Sequence, residues 1–175
     1  EFIKSSAAGH AGPFAIVVKF TRETEYIRKY GTAALNLALA RLYRASQATF
    51  HAARSIEVLD RGSVCIAGTK AAYREPMIID FVNEIAAEFP ELGVLAGAFC
   101  EADGDAATNG SGTKLNPVNA IEFARFAASD LGRAPDTRLR HFSVATAASV
   151  LQALRDARSF DTAYADFERL RSLGV

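Results

Sequence analysis

The stretch Phe14-Ala15-Ile16-Val17-Val18-Lys19-Phe20 constrains this chain more than any other. It is apolar throughout except for Lys19. Its length and β-branching suit a buried strand, one that meets apolar neighbours on both faces. Residues with helical periodicity follow at once. Leu35, Ala38, Leu39, Leu42, Tyr43, Ser46 and Phe50 recur at steps of three and four and form one stripe. Thr32, after Gly31, is placed to cap that helix, and Glu23 to Lys29 reads as an earlier short helix.

Two short apolar runs come next, Ile56-Glu57-Val58-Leu59 and Val64-Cys65-Ile66-Ala67, around Asp60-Arg61-Gly62-Ser63. Runs of that length around a glycine-containing turn predict a β-hairpin. A second helix is predicted over 75–89, with Pro76 in its first turn and Ile78, Phe81, Val82, Ile85, Ala86 and Phe89 as its stripe. A fourth strand spans 94–99, a third helix 117–131 and a fifth strand 138–143. One or two helices finish the chain. The order predicts an α+β fold: a ferredoxin-like or palm-like βαββαβ core. Its mostly antiparallel sheet carries helices on one face, with a C-terminal strand and helices added. The second face is left for another subunit or for late helices.

Length and composition agree with one domain over 13–175, preceded by residues 1–12 as a flexible tail or a remnant of cloning. Of 175 residues, 20 are Lys or Arg and 20 are Asp or Glu, so the formal charge is zero. A general nucleic-acid binder would need a basic face, and this balance argues against one. No apolar run approaches the ~20 residues of a membrane span, and Glu1 to Gly12 lack the charged start and long apolar centre of a signal peptide. The expectation is a cytoplasmic protein. Cys65 and Cys100 read as buried reduced thiols.

Several motifs suggest chemistry and fall short of it. Gly110-Ser111-Gly112-Thr113-Lys114 lacks the spacing of a phosphate-binding P-loop. Asp103 and Asp105 flank Gly104, which describes a turn as well as a metal site, and no glutamate completes an EF-hand. Asn116 and Asn119 stand at the start of the third helix, where backbone N–H groups can meet an anion. No Ser-His-Asp or Cys-His arrangement is present.

The order of elements is similar to the palm-like core of class III nucleotidyl cyclases, over roughly Phe14 to Ser143. Phe14 to Thr21 resembles the family's first strand, Phe-x-Asp-Ile-x-Gly-Phe-Thr. The hairpin Leu59 to Gly68 stands where the family has Gly-Asp at its turn. Pro117-Val118-Asn119-Ala120 resembles the Thr-Val-Asn-x helix start, and Leu139 to Ser143 with Ala145-Thr146 the late strand and its Ser-x-Ala-Thr signature. The family cyclises nucleoside triphosphates with two metal ions and works as dimers, so the resemblance implies a homodimer and a signalling role.

The family's chemistry does not carry over. The resemblance sets Ile16 and Gly62 where its two metal aspartates belong. Asn119 has Phe123 where its transition-state arginine belongs, and Val58 replaces its base-reading lysine. The expectation is therefore a catalytically degenerate cyclase-like domain, regulatory or dimerising, that binds a nucleoside triphosphate or cyclic nucleotide without cofactor. Its pocket would use Lys19, Thr21, Arg61, Asn116, Asn119 and Arg125. One alternative is an active cyclase that holds Mg or Mn with Asp60 and Asp103 or Asp105. Another is an unrelated ferredoxin-like module that binds a protein or small ligand. The cyclase-like reading requires the first strand to lie between the third and the fourth.

Overall fold

The computed structural model describes residues 12–100, 117–128 and 138–142. Within them, β1 (Pro13–Phe20) leads into α1 (Glu23–Tyr30) and α2 (Thr32–Thr49). The hairpin β2 (Ser55–Asp60) and β3 (Ser63–Thr69) follows. A short 3-10 turn at Lys70–Ala72 precedes α3 (Glu75–Glu88) and β4 (Val94–Cys100), and α4 (Pro117–Ala127) and β5 (Leu139–His141) complete the set. The predicted tail, the 101–116 loop and the closing helices lie outside the described residues. Among the described residues, no helix is long and apolar enough to cross a membrane.

The strands form one sheet in the order β2-β3-β1-β4-β5. β1 lies between β3 and β4, antiparallel to both, with Val17 opposite Cys65 on one side and Gly97 on the other. This is the placement that a palm-like core requires. The added strand β5 pairs parallel to β4.

Strand parity sorts the core. Phe14, Ile16, Val18 and Phe20 point to the face covered by α2 and α3, where they pack with Leu35, Leu42, Ile66, Ile78 and Ile85. Ala15 and Val17 point to the other face and pack with Cys65, Ala67, Ala120 and Ala124. The sequence alone leaves this second face for another subunit or for late helices. Helix α4 covers it, because a sheet that is apolar on both sides must bury both. The approach is close. A Cβ at Gly97 would collide with the α4 backbone at Ala124 and Ala128. Only glycine allows helix and strand to meet there.

The junction of α1 and α2 also differs from expectation. Gly31, at φ +84°, closes α1 by donating its N–H to the Ile27 carbonyl (2.8 Å) and stands at the N-cap of α2. Thr32 is therefore the first helical residue rather than the cap. The sharp reversal needs a positive φ, which glycine adopts without cost. Phe123 and Phe126 are core residues, and Phe123 stacks on Phe142 at 4.5 Å between ring centres. Cys65 is buried, and burial pushes its thiol up to about 12. Cys100 is only partly buried, and neither cysteine forms a disulfide.

Candidate functional site

The candidate crevice lies where β1 ends beside the hairpin tip. The Phe20 N–H donates to the Gly62 carbonyl at 2.8 Å, tying the strand to the turn. Register then aligns Lys19, Ser63 and Asp60 in one row across β1, β3 and β2. An irregularity between Val58 and Asp60 turns the end of β2 and leaves Leu59 packed towards the α4 face. Asp60 Oδ1 accepts the Gly62 N–H at 2.9 Å and closes the turn. Arg61 is exposed at the tip.

Thr21 stands just past the strand. Its N–H reaches the Leu92 and Gly93 carbonyls (3.2 and 3.1 Å), and its hydroxyl lies where a Cβ at Gly93 would fall. Thr21 thus fixes the entry to α1 against the turn before β4. A cavity of about 260 Å³ opens there, lined by residues 19–25.

Glu23 is the residue that sequence reasoning missed. It begins α1, two positions after Thr21, and its carboxylate lies against the hairpin turn. A Cβ at Gly62 would collide with it. Burial raises Glu23 above the usual carboxylate range, repulsion from Asp60 raises it further, and the nearby Lys19 ammonium opposes both. The crevice therefore holds two acids and one lysine near enough to act on each other. Its signal in the sequence was faint: an acid opening a helix directly after a strand that ends beside a turn.

The structure joins Lys19, Thr21, Asp60 and Arg61 at this end of the sheet. It does not bring Arg125 to them. Arg125 is exposed on α4, whose sheet-facing residues are Ala120, Phe123, Ala124 and Ala127. Asn119 falls in the first turn of α4, and its side chain is not described. Asn116, Asp103 and Asp105 lie outside the described residues.

The strand presents no side-chain oxygen in any register. Ile16 is fully buried in the α2/α3 core, and its neighbours on the other face, Ala15 and Val17, are aliphatic. Gly62 has no side chain. Two divalent ions bridging a triphosphate need several carboxylate oxygens on one side of the sheet. Glu23 and Asp60 alone, with Lys19 beside them, fall short of that demand. Among the described residues no group of three or more His, Cys, Asp or Glu could hold a metal ion.

Sheet order, register and helix placement define the class: a palm-like α+β domain with the fold of nucleotidyl-cyclase-like proteins. Among solved structures, the chain is similar to the active GGEEF domain of a diguanylate cyclase from Vibrio cholerae. The identity is 12% and the TM-score 0.54, over 75% of this chain and 84% of that one. At that identity the likeness shows the fold. No family model matches this sequence, and no curated protein matches it.

Proposed function

We propose that this chain is a catalytically degenerate nucleotidyl-cyclase-like domain. In this reading it is a homodimer with a regulatory role, and it binds a nucleoside triphosphate or cyclic nucleotide without a metal cofactor. One observation carries the reading. The strand that would present metal carboxylates is apolar on both faces, while Lys19 lines the adjoining cavity and Arg61 is exposed at the hairpin tip beside it. A phosphate chain can be held by such cations as point charges and by hydrogen bonds, without the ions that in-line chemistry needs. The run Gly-Gly-Glu-Glu-Phe, which GGEEF spells in one-letter code, occurs nowhere in this sequence.

Strand order alone does not separate this reading from other ferredoxin-like modules, which share the βαββαβ plan. The nucleotide does. Thermal shift with ATP, GTP, CTP and UTP, each with and without manganese, tests it. The reading expects a shift for at least one nucleotide that does not depend on manganese, and Lys19→Ala should abolish it. No shift with any of the four removes the nucleotide from the proposal.

A second reading is favoured by the proximity of Glu23 to Asp60. An active cyclase with a non-standard metal set would use that pair, joined by Asp103 or Asp105. It predicts that manganese alone stabilises the protein and that Glu23→Gln removes the effect.

A further inference from the structure

A second cavity lies at the opposite end of β1 from the hairpin crevice, with a volume of about 210 Å³. Its floor is the pair Phe14 and Phe50, both buried. Each ring is fixed by an edge-on neighbour: Tyr73 for Phe14 at 6.0 Å and Phe81 for Phe50 at 5.1 Å between ring centres. Gly68 keeps the Phe14 ring close, since a Cβ there would strike it. The walls are small or flexible: Ala53, Ala72 and Met77. Alanines opposite two rings leave space that the described residues do not fill.

The rim carries one sign of charge. Among the described residues, His51 and Arg74 are the titratable ones that line the cavity, and no carboxylate does. Arg74 is held in place, because its Nη1 donates to the Ala71 carbonyl at 3.0 Å and the Tyr73 carbonyl at 2.8 Å. A guanidinium has five N–H donors in a planar fork, so two bonds from one nitrogen leave others to meet an anion.

We infer that this cavity binds a small apolar monocarboxylate, an arylacetate or a branched aliphatic acid. Its ring or branch rests on Phe14 and Phe50, and its carboxylate meets Arg74. The volume is below that of drug-sized pockets, which sets the ligand at about ten non-hydrogen atoms. A mostly apolar pocket with one placed polar group is the usual design of a small-molecule site. The inference does not depend on the nucleotide reading, because the residues of the two sites are disjoint.

The test is a titration followed by methyl NMR of the alanines, using phenylacetate, isovalerate and the uncharged phenylacetamide. The carboxylates should shift the Ala53 and Ala72 methyls saturably, and the amide should bind about tenfold more weakly or worse, the loss expected for a charge-assisted bond. Arg74→Gln should weaken the acids by a similar factor and leave the amide unchanged. Ala72→Leu, which fills the cavity, should abolish binding of all three, and the Arg74→Gln comparison stands even if that variant fails to fold. Equal affinity for acid and amide would overturn the inference. So would an unchanged acid affinity in Arg74→Gln, or the absence of any saturable shift at those methyls up to millimolar ligand.

Discussion

The two faces of the sheet are packed by different means. On the α2/α3 face, β1 contributes Phe14, Ile16, Val18 and Phe20, and large side chains hold the helices away from the strands. On the α4 face the contacts are Ala15, Val17, Ala67, Ala120 and Ala124, and at Gly97 the helix backbone nearly touches the strand. The first face is held by buried volume, the second by close approach. The contrast explains where a crevice can exist. The row through Val17 and Gly97 is sealed by α4. Two residues further along β1, about 7 Å at strand rise, Lys19 is only partly buried and the hairpin crevice begins.

The faces should answer substitution differently. The largest effect is expected on the bulky face. Phe20→Ala removes a fully buried ring that packs edge-on against Phe89, and should cost about 3–5 kcal/mol in chemical denaturation. On the close face the damaging change is an addition. Gly97→Ala inserts a methyl where α4 backbone already lies, and should cost about 1–3 kcal/mol. If Gly97→Ala proved neutral, the distinction between the faces would fail. A smaller effect belongs to Thr21. Thr21→Val keeps the shape and removes the hydroxyl, so it should lower stability by about 1 kcal/mol or less.

The smallest effect is at Glu23 and depends on pH. Its folded value is raised, so ionised Glu23 disfavours the native state, and that cost is relieved as pH falls through the folded value. Glu23→Gln should therefore melt slightly higher than the parent at pH 7 to 8. The gap should close as pH falls below the ordinary value of 4.5, where the acid is protonated in both states. A gap that widens on acidification would mean that the Lys19 contact outweighs burial and Asp60.

The α2/α3 face was legible in the sequence. The unbroken apolar run of β1 reads as a buried strand and the stripes of α2 and α3 read at the helical period, whereas the place of β1 between β3 and β4 came from the resemblance in element order. The α4 face was less so. Alanine and glycine carry little hydrophobic signal, so the stripe Ala120, Ala124 and Ala127 did not announce which layer it joins. The geometry around the hairpin turn was legible only in part. Lys19, Thr21, Asp60 and Arg61 could be named because strand and hairpin positions are local. Glu23 could not, because its contact with Gly62 crosses from helix to hairpin and no spacing encodes it. Arg125 was named for its residue type, and it is exposed on α4.

The central proposal is that this cyclase-like fold binds a nucleotide without two-metal chemistry. The most direct measurement is incubation of the protein with each labelled nucleoside triphosphate and Mg or Mn, with product separation. The account predicts no cyclic nucleotide or cyclic dinucleotide above the protein-free control, for any base and either metal. Metal-dependent product, lost on Glu23→Gln or Asp60→Asn, would contradict it.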